Sequence, residues 1–372
     1  MTDFEVTEGN RYELDYLLEN RGDETTTEDV ALRVDGTVVD SDALITLDPG
    51  EGTTGTLVTD AFGENDVDET FDIELVGENT RQRDILVVAD IPDNVVAYGS
   101  FDENTYVHDV SDGSLVQTLT ESGDNVNGVA LLDSYVAYGG DDENTYVHDL
   151  ADGSLVQTLT ESGDTVRSVA LSDTHVAYGG DDDTTYVHDV SDGSLVQTLT
   201  ESGESVNDVA LSDTYVAYGA SDENTYVHDL ADGSLVQTLT ESGGNVAGVA
   251  LSDSYIAYGG SDENTYVHDV SDWSLVQTLT EAGNFLNDVA LSDTHVAYGS
   301  FDENTYVHDV SDWSLVQTLT ESGGAVLGVA LSDSYVAYGA ADDTTYVHDV
   351  SDWSLVQTLT EAGANVGDVA LL

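Results

Sequence analysis

The chain has 372 residues, length for two or three domains, and sets 75 acidic residues against 6 basic ones for a formal net charge of −69. So few cations exclude nucleic acid and anionic lipid as partners, because both need Lys or Arg against phosphate; the absence of cysteine excludes disulfides and thiolate metal sites. Self-repulsion of this size weakens a compact state at low salt, so the composition predicts a halophile, while regularly spaced apolar residues, 40% of the chain, set it apart from acidic disordered proteins.

The N-terminus, Met1-Thr-Asp-Phe-Glu-Val6, has neither the basic nor the apolar region of an export signal. That predicts a chain that stays in the cytoplasm, is assembled there into a particle, or is a trimmed mature form. No stretch approaches the ~18 apolar residues of a membrane helix. Residues 1–92 hold Arg11, Arg21, Arg33, Arg81 and Arg83 and read as a separate domain of short strands. Tyr12–Leu18 alternates, and Val30–Val34 faces Thr37–Val39 across Asp35-Gly36, a hairpin signal. Leu44–Leu47 reads as a further strand running into the turn Asp48-Pro49-Gly50. Thr54–Val58, Phe71–Val76 and Asp84–Val88 follow, which predicts a small antiparallel sandwich. The runs Glu19-Asn-Arg-Gly22, Val34-Asp-Gly36 and Leu47-Asp-Pro-Gly-Glu51 resemble the turns of immunoglobulin-like adhesion modules in archaeal surface proteins. That resemblance implies a spacer or anchor. Ile91-Pro92-Asp93-Asn94 reads as the linker.

From residue 93 to 372 one pattern repeats. Tyr106-Val-His-Asp109 returns with its histidine at His148, His188, His228, His268, His308 and His348, seven copies spaced by 40 residues. A fixed period of this kind marks a repeat architecture. Within one unit, Asn125–Asp164, the stretches Val126–Leu131, Tyr135–Gly139, Thr145–Leu150 and Leu155–Thr160 read as four short strands, the pattern of a propeller blade. Their continuous apolar character suits sheets covered on both faces. The first copy opens at Val95 with a second strand, and the chain ends on an innermost one, Asn365–Leu371. Pairing the two completes seven blades and leaves no open edge. The expected fold is all-β: a seven-bladed propeller closed by its C-terminal strand on the first repeat, preceded by a small immunoglobulin-like sandwich.

The order Val169-Ala-Leu-Ser-Asp173, Ala177-Tyr-Gly-Gly-Asp181, Tyr186-Val-His-Asp189 and Asp192-Gly-Ser-Leu-Val-Gln-Thr-Leu199 resembles that of WD-repeat propellers, over nearly all of residues 95–372. Two departures matter. His stands where that family has the Trp before Asp, and Glu161-Ser162 and its equivalents replace the family's Gly-His pair. The family's Trp–Ser–His–Asp network is therefore expected not to form in its usual way, leaving blade stability to packing and Tyr/His contacts.

The copies can be compared with one another. Their bodies barely change, and the differences gather in two places: the loop into the inner strand and the turn between the second and third strands. The propeller geometry implied by the resemblance puts both on the face where the central channel opens. Varied loops on a rigid scaffold predict a binding surface there, with Phe101, Asn125, Asn127, Arg167, Asn207, Asn284, Phe285, Phe301 and Leu327 as its candidate residues. On the opposite face, Trp273, Trp313 and Trp353 occupy the turn in which earlier blades have Gly113, Gly153, Gly193 and Gly233. If those glycines have positive φ, each Trp is strained by roughly 1–3 kcal/mol. Exposed neighbouring Trp residues predict an interface with the N-terminal domain, a neighbouring subunit or a glycan.

No catalytic or cofactor motif stands out. His108 and Asp109, adjacent on a strand, point to opposite faces and form no dyad, and seven equivalent copies lack the asymmetry that a reaction needs. The acidic turns Asp102-Glu-Asn104, Asp142-Glu-Asn144 and Asp182-Asp-Thr184 would gather Ca2+, Mg2+ or Na+ only loosely. The expectation is a non-enzymatic recognition or structural protein of a halophile, working on a virion as a tail fibre or capsid decoration, or on a cell surface as an adhesin. Its expected partners are a protein or surface glycan and neighbouring subunits. An intracellular scaffold, as is usual for WD-repeat propellers, and a propeller enzyme such as a glycosidase or oxidoreductase are the alternatives.

Overall fold

The structure, a computed structural model, describes residues 94–372 apart from Asp133, and before them the backbone of seven strands. The chain divides into two compact units, Met1–Ile91 and Pro92–Leu372. In the first, β1 (Phe4–Thr7), β7 (Arg81–Val88), β6 (Thr70–Val76), β3 (Thr26–Val34) and β4 (Thr37–Leu47) form one sheet in that order. A second sheet pairs β2 (Glu13–Glu19) with β5 (Gly52–Val58). The hairpin expected around residue 35 is present as β3–β4, with Val34 opposite Thr37. Leu44–Leu47, expected as a strand of its own, is instead the end of β4, which stays paired to β3 through two register shifts. Pairing of β1 with β7 is parallel, so this sheet is not purely antiparallel. The immunoglobulin-like assignment turns on side chains and turns that lie outside the described residues.

The second unit is a propeller of seven four-stranded sheets. Blade 2 shows the plan: Val126–Leu132 innermost, then Tyr135–Gly140, Thr145–Asp149 and, outermost, Leu155–Leu159. Blades 3 to 7 repeat it. In blade 1, Val366–Leu371 pairs antiparallel with Val95–Ser100, Leu371 opposite Val96 and Val366 opposite Ser100, so the last strand of the chain is the innermost strand of the first blade. This is the closure that the strand count predicts.

Apolar runs become strands here because neighbouring blades cover both faces. Val95–Ser100 is buried at every position. The blade interfaces are built from apolar clusters: Ala177, Val187 and Leu199 of blade 3, for example, meet Val206, Val209, Val216 and Tyr218 of blade 4. Each Val or Leu buried this way contributes roughly 1.5–3 kcal/mol. The blades approach so closely that a Cβ on Gly99 would come within 2.5 Å of Val126 Cγ1 in the next blade.

A polar network replaces the one that the WD-repeat resemblance would supply. His148 is buried; its Nδ1 donates to the Gly153 carbonyl oxygen at 3.0 Å, and its Nε2 lies 3.1 Å from Tyr138 Oη. The Tyr138 hydroxyl donates to Glu121, 2.9 Å away on the connection from blade 1. The same contacts recur around His188, His228, His268, His308 and His348, and around His108 through Glu361. The histidines thus lock the third strand to its turn and to the incoming connection. Burial, followed by the glutamate charge or hydrogen bond, pushes each tyrosine hydroxyl far above its ordinary pKa.

Along the axis the residue facing the next blade's inner strand is Gly128, Ser168, Asp208, Gly248, Asp288, Gly328 and Asp368 in turn. Each aspartate bridges two blades. Asp208 accepts the Val209 and Val249 N–H groups at 2.9 and 2.6 Å, Asp288 those of Val289 and Val329 at 2.7 and 2.6 Å, and Asp368 those of Val369 and Val129 at 2.8 and 2.9 Å. The glycines give way to the neighbour's backbone: a Cβ on Gly328 would meet Asp368 Cα at 2.6 Å. At Ser168 the alternation breaks, and its hydroxyl donates to Asp208 while accepting the Val209 N–H.

Candidate functional site

One device brings the variable residues together. In each inner strand the register slips by one residue where it pairs with the second strand, as between Val126 and Gly128. The extra residue is Asn127 in blade 2, and Arg167, Asn207, Ala247, Asn287, Leu327 and Gly367 in the others. A bulge of this kind re-aims its side chain out of the ladder, here into the mouth of the axial channel. The turn after the second strand lies beside it, pinned by backbone bonds such as Asp141 N–H to Asn125 O at 3.0 Å and Phe301 N–H to Phe285 O at 3.0 Å.

Together they enclose a cavity of about 500 Å³. Seven of the nine residues expected at a binding face line it: Phe101, Asn127, Arg167, Asn207, Phe285, Phe301 and Leu327. The other two stand just outside. Asn125 donates to Asp141 Oδ2 at 2.9 Å, and exposed Asn284 accepts the Phe285 N–H at 2.9 Å. Comparison of the copies passed over Asp181, Asn245, Asn287 and Gly367, which also line the wall.

The lining is divided around the ring. Blades 6, 7 and 1 supply an apolar arc of Phe285, Phe301, Leu327 and Phe101, with Phe285, Phe301 and Phe101 49%, 46% and 36% exposed. Gly367 leaves room for the Phe101 ring, since a Cβ there would lie 2.9 Å from Cε1. Blades 2, 3 and 4 supply polar pairs. Asn127 donates to Asp141 Oδ1 at 2.9 Å, Arg167 Nε to Asp181 Oδ1 at 2.5 Å, and Asn207 to Ser221 Oγ at 3.2 Å. Arg167 is the only Lys or Arg between residues 94 and 372.

Below the mouth lie the three axial carboxylates. Desolvation on the channel wall pushes Asp208 up to about 6 and Asp368 up to about 7. Asp288 rises as well, through burial first and then repulsion from Asp208 and Asp368. The acidic turns that would collect cations are engaged elsewhere: Asp102 Oδ2 accepts the Tyr106 hydroxyl at 2.9 Å and the Gly363 N–H at 2.7 Å. Among the described residues no group of three or more His, Asp or Glu side chains is arranged to hold a metal.

On the opposite face, Trp273, Trp313 and Trp353 have φ of 60°, 61° and 62°, and the matching Gly113, Gly153, Gly193 and Gly233 have φ of 75°, 69°, 70° and 72°. The turn is left-handed in both cases, so the condition for strain at each Trp is met. Each Trp is half-buried and stacks edge-on against the preceding blade, on Tyr215, Tyr255 and His295 respectively. Packing within the chain therefore already occupies part of each indole. No family model matches the chain, and no curated protein matches it in sequence.

Proposed function

We propose that this chain is a non-enzymatic recognition and structural protein whose propeller presents the channel mouth as its binding surface. One observation carries the reading: seven nearly identical blades differ chiefly at the bulge residue and its neighbouring turn, and those positions converge on a single cavity with an apolar and a polar arc. A rigid ring with interchangeable lining is how a fixed scaffold is given a specific site. The His–Tyr–Glu sets, seven-fold and buried, serve blade cohesion in this reading.

The N-terminal unit is proposed to be an immunoglobulin-like anchor, and the acidic composition to belong to a halophile. A virion component such as a tail fibre or capsid decoration, or a cell-surface adhesin, fits that combination, with a protein or surface glycan as partner. The test is binding of archaeal surface glycans and S-layer protein to the immobilised chain in molar salt. A Phe285→Ser, Phe301→Ser variant should lose the signal, and Trp313→Gly on the opposite face should keep it. Equal binding by both variants would remove the mouth from the reading.

A further inference from the structure

Resting on the reading of the mouth as the recognition surface, we infer that it takes an organic cation on an apolar stem, with the charged head at Asp141 and the stem over Phe101. A lysine or arginine side chain of an exposed partner segment and a free polyamine share that chemistry.

Blades 2 and 3 carry the comparison inside the ring itself. In blade 3 a carboxylate, Asp181, holds a guanidinium, Arg167, at 2.5 Å. Blade 2 has the same carboxylate, Asp141, but its oxygens receive only the neutral amides of Asn125 and Asn127, each at 2.9 Å. Those amides satisfy hydrogen bonds without cancelling charge. Acceptors are in surplus around it, too. Asn127 and Asn287 direct their Nδ2 groups to the Val166 and Val326 carbonyl oxygens at 3.1 and 2.6 Å, so each presents its own amide oxygen to the cavity wall. A fitting ligand brings donors.

The field has the same sign. Asp208, Asp288 and Asp368 lie one residue further along the inner strands and add negative charge once pH exceeds their raised pKa values, with Arg167 the only Lys or Arg in the propeller sequence. Clefts lined by one sign of charge concentrate the opposite ion. Anionic ligands are repelled, and a neutral one leaves this potential unused. Phe101 belongs to the blade beside Asp141 and is 36% exposed. An aromatic face next to a carboxylate is a favourable setting for ammonium or guanidinium, and a cavity of about 500 Å³ admits a side chain rather than a folded domain.

The experiment is calorimetric titration of the full chain at one fixed salt concentration with four probes: a lysine-bearing peptide, its Nε-acetylated form, spermidine and a neutral trisaccharide. The cationic peptide, spermidine or both should bind, and acetylation should weaken the peptide at least about tenfold. Asp141→Asn should cost about tenfold, Phe101→Ala about fivefold, and Arg167→Ala should tighten binding by exposing Asp181. Circular dichroism shows whether each variant is folded, and the predicted gain with Arg167→Ala is one that misfolding would not produce. Binding by the peptide alone assigns a protein partner, and binding by spermidine alone assigns a free amine. If the trisaccharide or the acetylated peptide binds as well as the cation and depends on Phe101, the cation inference is wrong while the mouth remains the binding surface. If no probe binds, or binding ignores the Asp141, Phe101 and Arg167 variants, both readings fail.

Discussion

Gln357 of blade 7 donates through Nε2 to the Val110 carbonyl oxygen of blade 1 at 2.9 Å, stapling the interface where the ring closes. Gln117, Gln157 and Gln197 make the same bond to the blade that follows, at 2.6, 2.6 and 2.5 Å. At the remaining three interfaces Trp273, Trp313 and Trp353 replace that bond with edge-on stacking, their ring centroids 5.3, 5.2 and 5.3 Å from Tyr215, Tyr255 and His295. The seven interfaces thus use two interchangeable staples, one polar and one aromatic.

Substitution of Trp313 should separate strain from stacking. Trp313→Gly relieves a left-handed backbone and lets Gln277 reach the Val310 carbonyl, so stability measured by urea unfolding should change by less than about 1 kcal/mol. Trp313→Ala keeps the strained φ and loses the aromatic pair, and should cost about 2 kcal/mol. Equal stability of the two variants would mean that neither strain nor the glutamine staple is at work.

His148→Ala should be far more damaging. It opens a cavity between strands and removes the partner of the part-buried Gly153 carbonyl, for a loss of about 2–4 kcal/mol in thermal or chemical unfolding. Replacing Glu121, whose side chain is 37% exposed, by Gln should cost much less because water stands in for part of the lost interaction. A mild effect at His148 would contradict the locking role of the network.

The axial carboxylates give the propeller an unusual response to acid. Their folded pKa values, about 6 for Asp208 and about 7 for Asp368, lie above the 3.8 of an ordinary aspartate, so the folded state binds these protons more tightly than the unfolded chain. The resulting destabilisation is fully present above about pH 7 and is relieved as pH falls toward 4. Melting temperature should therefore rise on acidification from pH 8 to about pH 5, and Asp208→Asn should flatten that rise. A melting temperature that falls steadily over the same interval in the parent chain would rule this out.

Removal of residues 366–372 should abolish cooperative unfolding. It strips blade 1 of its innermost strand, exposes the edge of Val95–Ser100, and deletes the Asp368 bridge to Val129. Light scattering should report association of the truncated chain, and a monomer with a sharp transition would show that closure is dispensable.

Much of this architecture could be read from the repeats. Seven blades and the terminal closure follow from counting strands, whereas the positive φ of the glycine and tryptophan turns could only be posed as a condition, since a bulky residue in place of glycine does not by itself mark a left-handed turn. Comparison among copies found Phe101, Phe285 and Leu327 because they break the pattern. It passed over Asn287 and Asp181, which repeat the Asn127 and Asp141 already present in blade 2 and so add no new residue type at their positions. The exchange of glutamine for tryptophan at blade interfaces was hidden for another reason: Gln117 and Gln277 stand in identical sequence, and only the neighbouring blade decides what each does. In the N-terminal unit the hairpin was visible as Asp35-Gly36, while the parallel pairing of β1 with β7 joins segments about 80 residues apart that no local signal connects.

A closed ring of odd number cannot be coloured with two alternating tones. Gly128, Asp208, Gly248, Asp288, Gly328 and Asp368 would alternate without fault in a six-membered circle, and blade 3 inserts Ser168 as the necessary third tone. The near-identical repeats are therefore not equivalent building blocks: parity forces one seam on the ring, and only loss of blade 3, which would bring Gly128 directly beside Asp208, would leave a circle without one.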